Sequence, residues 1–306
     1  MTETPHPTLF DRNEAQVVAQ LHLEPQLELL INLANYGSNL LVRTFGSSQK
    51  QISDLVICGV LLKQLITMVD AIEVLLRSGC GPAAQLQGRA VLEVSITIDW
   101  MLLLDSKYRA SCFMVSNYRA ERNWALRAIH GTAEFTERNK AQYKISEEIT
   151  GNGDAMRARV QEIDDLLSQP ELNPVNEEFE RLRKKKKFSF DSEWYEVAGT
   201  KSIRQMAKDV GRSAEYDVFY AIGSNSVHGK SYKEHLAIHS DQVHFKPIRH
   251  LSKADILIRT VVSTTLGTYR KLLETYRPDE LPAFANKYKS EWQTAFNSIT
   301  CMNYQF

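Results

Sequence analysis

The stretch "PAAQLQGRAVLEVSITIDWMLLL", residues 82–104, decides the fold class. Its apolar residues recur at intervals of three and four, which is the period of a helix. They also cover it nearly all round. Leu86, Ile96, Trp100, Leu103 and Leu104 share one side, and Val91, Val94, Ile98, Met101 and Leu102 take the other. A helix that is apolar on every side is normally surrounded by other helices, so this one is expected at the centre of the protein. Just before it, "SGCGP" at 78–82 supplies glycine for a helix stop and proline for a restart. Helices over about 50–78 and 82–104 are therefore expected to form an antiparallel hairpin.

Working outward, the same period runs through most of the chain, with Gly and Pro between the periodic blocks. Further helices are expected at 11–22, 25–45, 106–143, 152–169, 175–186, 201–210, 213–228, 252–276 and 281–299. The segment "QPELNP" at 169–174 reads as a loop. Only "QVHFKPIRH", from 242 on, suits an extended piece, so the fold class is an all-α multi-helix bundle with long helix hairpins and at most a short extended segment near 242–249. The expected organisation is an N-terminal helical extension (1–48), a main helical domain (49–276) and a C-terminal helix with tail (277–306).

Composition narrows the function classes. In 306 residues, 37 Lys and Arg balance 37 Asp and Glu, so no long-range field gathers nucleic acid over the whole surface and any phosphate contact has to be local. The four cysteines are scattered, without a C-x-x-C pair, and fit reduced thiols in a cytoplasm. The start, "MTETPHPTLFDRNEAQ", lacks the features of a signal peptide. The most apolar stretches, 55–76 and 90–104, are interrupted by Lys63, Asp70 and Glu73 and by Glu93 and Asp99, so a soluble, cytoplasmic protein with no membrane partner is expected. The many amphipathic helices make a homodimer the default assembly.

Two rows of polar residues stand out against this apolar background. Arg89 and Glu93 are four apart and hence on one helix face, within a stretch where unpaired charge costs several kcal/mol. Either they brace neighbouring helices as an ion pair, or they floor a pocket where the arginine takes an anion and the glutamate orients a partner group. The second row is Arg212, Tyr216, Tyr220, Ser224 and His228, again at intervals of four. It reads as a hydrogen-bonded seam or as one wall of a cleft, and its polar density favours the cleft. His228 has the near-neutral pKa that proton transfer needs, and Ser224 lies one turn before it. No acidic orienter and no G-x-S-x-G elbow accompany them.

His235 and His239 are also four apart and would share a face with His228 if the helix ran on through Gly229. No glutamate sits between them as in H-E-x-x-H, and two exposed histidines are the plainer reading. In "YRASCFMVSNYRAERNWALRAIH" most arginines are expected in solvent, with Arg109 as the buried one because it follows the apolar helix directly. The strongest local bias is "RLRKKKKFSFDSEW", 181–194. It is either a phosphate-contacting arm or a solvated connection, and the acidic Glu177, Glu178 and Glu180 before it favour the connection.

The segments "AIEVLLRSGCGPAAQLQGRAVLEV", "YRASCFMVSNYR", "EWYEVAGTKSIRQMAKDVG" and "YDVFYAIGSNSVHG" together resemble a bacterial all-helical family known as domain of unknown function 5677. The resemblance covers roughly 50–235. That family is similar, more remotely, to the higher-eukaryote and prokaryote nucleotide-binding helical domains, many of which are metal-independent ribonucleases of toxin and antiviral systems. Their active site pairs an arginine with a histidine after four to six intervening residues. Here Ala221, Ile222 and Gly223 stand at that distance before His228, so Arg89, Arg109 or Arg212 would have to supply the charge through space.

The resemblance and the two polar rows together imply a cytoplasmic bacterial effector of a defence or toxin system that cleaves or binds RNA or a nucleotide between helices. His228 is the expected acid or base, with Arg89, Glu93 and Ser224 as its catalytic companions and Arg109, Tyr220 and Arg212 as substrate-binding residues. No metal or cofactor is required in this scheme. A non-enzymatic helical module acting through a protein partner of the same system is the alternative, and a metal-dependent hydrolase using His228, His235 and His239 is a third.

Overall fold

The computed structural model describes residues 11–47, 52–141, 153–186, 191–227, 235–239 and 242–300. Helices dominate it: α1 (Arg12–Ser47), α2 (Ile52–Arg77), α3 (Gly81–Met101), α4 (Ser106–Leu126), α5 (Ala133–Ala141), α6 (Gly153–Leu167), α7 (Asn173–Lys186), α8 (Trp194–Val197), α9 (Ile203–Asp209) and α10 (Ser213–Val227). A short antiparallel strand pair follows, β1 (Leu236–His239) with β2 (Gln242–Phe245), in the register Leu236 to Phe245. The chain then closes with α11 (Ala254–Tyr276), α12 (Leu281–Lys287) and α13 (Gln293–Asn297). The fold is all-α.

The chain forms two compact units. One contains residues 1–51, 58–104 and 203–306, and the other 52–57 and 105–202. This division differs from the three segments expected, because α1 and the C-terminal helices belong to the same unit as the central helix. The reason is packing. Leu23, Leu27, Leu30, Leu33 and Leu40 of α1 are buried, Tyr269 Oη of α11 donates to Leu33 O at 2.9 Å, and Tyr36 gathers Tyr269, Phe284 and Trp292 at centroid distances of 5.3 to 5.7 Å. Such aromatic groups bury large apolar areas and hold distant segments together.

Within this unit α3 is central, as its all-round apolar surface requires. It packs on α9, α10 and α11, and Val91, Leu92, Ile96, Ile98, Trp100 and Met101 are buried. The α2–α3 hairpin forms as expected. Gly79 adopts φ +73°, Pro82 sits in the first turn of α3, and the Cys58 thiol early in α2 lies 3.8 Å from Met101 Sδ at the far end of α3. By length and composition Leu55–Arg77 would span a membrane, at a mean hydropathy of 2.0. It is nonetheless two-faced, since Leu61, Leu62, Leu65, Val69, Ile72 and Leu76 are buried while Lys63, Gln64, Thr67 and Asp70 are exposed. A helix packed on one side against a core has this pattern.

The other unit wraps α4, α6, α7 and α8 around Cys112, Val115, Ile163, Leu167, Val175, Phe179 and Val197. Burial pushes the Cys112 thiol up to about 12, so it is an inert core group and no nucleophile.

Three helix boundaries differ from the sequence reading. The break expected between residues 22 and 25 is absent, because Pro25 faces solvent and its missing N–H would have bonded the carbonyl of Leu21, a residue 75% exposed, where water can serve. The single helix expected over 106–143 is two. Gly131 takes φ +89°, and Thr132 Oγ1 then accepts from Phe135 N at 3.1 Å as the N-cap of α5. The helix expected over 281–299 is interrupted by a π-turn at Tyr288–Trp292.

Candidate functional site

Gly88 sets the geometry of the first polar cluster. A Cβ at this position would lie 2.3 Å from Leu257 Cδ1 and 3.4 Å from Phe219 Cε1, so α3 comes unusually close to α10 and α11 here. The next residue, Arg89, emerges at the edge of that contact. Its Nε donates to Glu93 Oε1 at 2.8 Å one turn along α3, and the two side chains are 23% and 30% exposed. The guanidinium carbon sits 4.5 Å from the centroid of the Tyr220 ring of α10. Tyr220 in turn stacks on Tyr216 at 4.9 Å, with the planes 20° apart.

The two rows read from the sequence thus meet in one place, as an arginine laid on a tyrosine ledge and steered by a carboxylate. Burial works against the charge on Arg89, but the Glu93 hydrogen bond and charge and the phenols of Tyr220 and Tyr216 outweigh it and raise its pKa. The cation is therefore permanent. Burial also raises Tyr216, helped by Tyr220 and Glu93, so this phenol stays neutral. A fixed guanidinium with remaining N–H groups beside two ring faces suits an anionic group attached to a planar one. Nearby, Gln85, Phe219, Lys253, Ile256 and Leu257 line a dent of about 10 Å³, room for about one water. Gln85 lies one turn before Arg89, and neither it nor Lys253 stood out in the sequence.

Ser224 belongs to α10 one turn beyond Tyr220, but its side chain and the whole of His228 lie outside the described residues. The structure therefore brings together Arg89, Glu93 and Tyr220 of the expected set.

Arg212 goes elsewhere. Its side chain is 10% exposed and bonds Asp99 Oδ2 through Nη2 at 2.7 Å, Glu215 Oε2 through Nη1 at 3.1 Å, and Thr268 Oγ1 at 3.3 Å. Expected as a substrate-binding residue, it is instead enclosed between α3, α10 and α11 as a brace. Its principal partner, Asp99, appeared in the sequence only as an interruption of an apolar run. Burial raises the Asp99 carboxyl above the ordinary carboxylate range, with Arg212 pulling the other way.

Arg109 belongs to the other unit and is half-buried; the buried arginine of α4 is Arg119, whose side chain is 9% exposed. Arg119, ten residues further along α4, lies beside Asn176, Glu180 and Asp191, partners that no neighbouring sequence announces.

The histidine pair does not share a helix face. His235 is exposed and Leu236–His239 is a strand, with Lys246 N donating to His235 O at 2.9 Å. Four residues of strand span roughly 13 Å, more than twice the separation that lets two helical histidines share an ion. Among the described residues no group of three or more His, Cys, Asp or Glu is set to hold a metal.

The sequence profile of the Family of unknown function (DUF5677) matches residues 55–243. No curated protein and no solved structure matches the chain.

Proposed function

We propose, for a chain that belongs to the Family of unknown function (DUF5677), that it takes RNA or a nucleotide at the face where α3 and α10 meet and cleaves the phosphodiester without a metal. The observation that carries this reading is Arg89, held by Glu93 over the Tyr220 ring while part of it stays open to water. Its guanidinium takes a phosphate, and a base lies on the exposed phenol ring beside it, which is the pairing of charge and stacking that single strands favour.

In the reaction His228 withdraws the proton of a ribose 2′ hydroxyl. The 2′ oxygen bonds to phosphorus, the bond to the 5′ oxygen breaks, and the proton passes to that leaving oxygen, giving a cyclic phosphate and a free 5′ hydroxyl. Arg89 offsets the negative charge that builds on the phosphate oxygens, and Glu93 keeps its fork aimed. Ser224, one turn before the end of the helix, orients the substrate. The setting we attach to this chemistry is a cytoplasmic effector of a defence or toxin system.

The test is cleavage of a labelled single-stranded RNA by purified protein in excess chelator. His228→Ala is expected to lose about 10²- to 10⁴-fold in rate and Arg89→Ala about 10²- to 10³-fold. Undiminished cleavage by His228→Ala rejects the assignment, and binding without any cleavage leaves a non-enzymatic module in its place.

A further inference from the structure

The basic run at the end of α7 has no part in the reading above, yet one of its arginines, Arg183, borders a cavity of about 310 Å³ within the second unit. The cavity is held by side chains of α4, α6 and α7 and by Asp191. Three arginines and three carboxylates line it, so its formal charge is zero.

Its hydrogen-bonding capacity is not balanced in the same way. Asp191 accepts at both oxygens from Arg119, at 2.8 Å each. Glu180 accepts from Arg119 at 2.7 Å through Oε1 and from Arg183 at 2.9 Å through Oε2. Asp164 accepts twice from Arg122, at 2.6 and 3.2 Å. Every carboxylate oxygen at the cavity therefore already has an arginine N–H.

The donors are in surplus. A guanidinium carries about five N–H groups, and among the described residues Arg122 spends only Nε and Nη2, and Arg183 only Nη2. Asn176 Oδ1 accepts from Arg119 Nη1 at 2.6 Å, which turns its amide so that Nδ2 is the end left over. Asn123 adds a second amide to the lining. Lys184 and Lys185, exposed on the same α7, add positive potential near Arg183.

We infer that this cavity is a binding site for the phosphate group of a small phosphorylated metabolite, received by Arg122, Arg183 and the amides of Asn123 and Asn176. Arg119 is the buried anchor. Its bonds to Asp191, Glu180 and Asn176 fix three walls of the cavity, and it stacks over Phe179 at 5.6 Å. The size selects the class of ligand. A volume of this order lies at the small end of ligand pockets and suits one phosphate with a compact polar body, whereas a nucleic-acid strand is bound along an extended groove. The lining is polar, so sugars suit it better than an apolar tail.

The experiment is calorimetric titration of the full chain carrying Arg89→Ala, so that the first site contributes nothing. The probes are inorganic phosphate, ribose 5-phosphate and a twelve-nucleotide RNA, at constant ionic strength in chloride. Binding of ribose 5-phosphate more tightly than inorganic phosphate is expected, weakened about tenfold by Arg183→Gln, the worth of one charge-assisted hydrogen bond. Asn123→Asp, which puts a negative charge at the lining, is expected to abolish it. Because Arg183 is 44% exposed and makes only a surface ion pair, its substitution is expected to leave the unit folded, which the unfolding curve checks. No binding of either phosphate at 10 mM (about the weakest specific range), unchanged affinity in both variants, or binding of the RNA alone would each overturn the assignment. Success or failure here is independent of RNA cleavage at Arg89.

Discussion

Two arginine–carboxylate pairs, one within α3 and one joining α3 to the residue just before α10, differ in one respect. Arg212 and Asp99 are each 10% exposed, whereas Arg89 and Glu93 are 23% and 30% exposed. In the sealed pair the donors meet Asp99, Glu215 and threonine oxygens away from water. In the open pair one carboxylate oxygen and a ring face occupy only part of the guanidinium. Charge and residue type are alike, so access to water is what separates a brace from a site.

The largest expected effect comes from breaking the sealed pair. Asp99→Ala leaves a buried guanidinium short of its main partner and is expected to cost about 3–5 kcal/mol in urea unfolding. A loss below about 1 kcal/mol, the range of surface pairs, would erase the distinction between the two clusters. Next comes the spacing that brings the open pair to its ledge. Gly88→Val inserts atoms where Leu257 already sits and is expected to cost about 1–3 kcal/mol and to weaken RNA binding as well, because α3 has to move away from Phe219 and Tyr220.

A smaller effect is the pH dependence of the sealed pair. Asp99 has a raised pKa in the folded chain, so between the ordinary carboxylate range and that raised value the folded state holds more protons than the unfolded one. Stability contributed by this group therefore falls as pH rises through the window. Unfolding midpoints of the wild type and Asp99→Asn, compared across mildly acidic pH, are expected to differ in slope with that sign. Parallel curves would show that Asp99 is charged at no cost.

How much of this was legible in the sequence follows from which interactions are local. The 3.6-residue period was enough for the helices and for the central place of α3, and the spacing of four placed Arg89 with Glu93 and Tyr216 with Tyr220. Gly131 and Thr132, a stop and a start, lie inside the single helix expected over 106–143. Pro25 was a false stop because its cost depends on which way the residue faces. The partners of Arg212 and Arg119 lie far along the chain, at Asp99 and at Asn176, Glu180 and Asp191, and no local spacing announces them. His235 and His239, which a spacing of four would put on one face of a helix, are set apart because Leu236–His239 is a strand.

The most direct measurement pairs Arg89→Ala with Arg212→Ala and records, for each, the unfolding free energy and the affinity for single-stranded RNA. Arg89→Ala is expected to stay within about 1 kcal/mol of the wild type while RNA binding is lost, and Arg212→Ala is expected to lose several kcal/mol. Equal destabilisation by the two substitutions, or RNA bound as tightly without Arg89 as with it, would contradict the account.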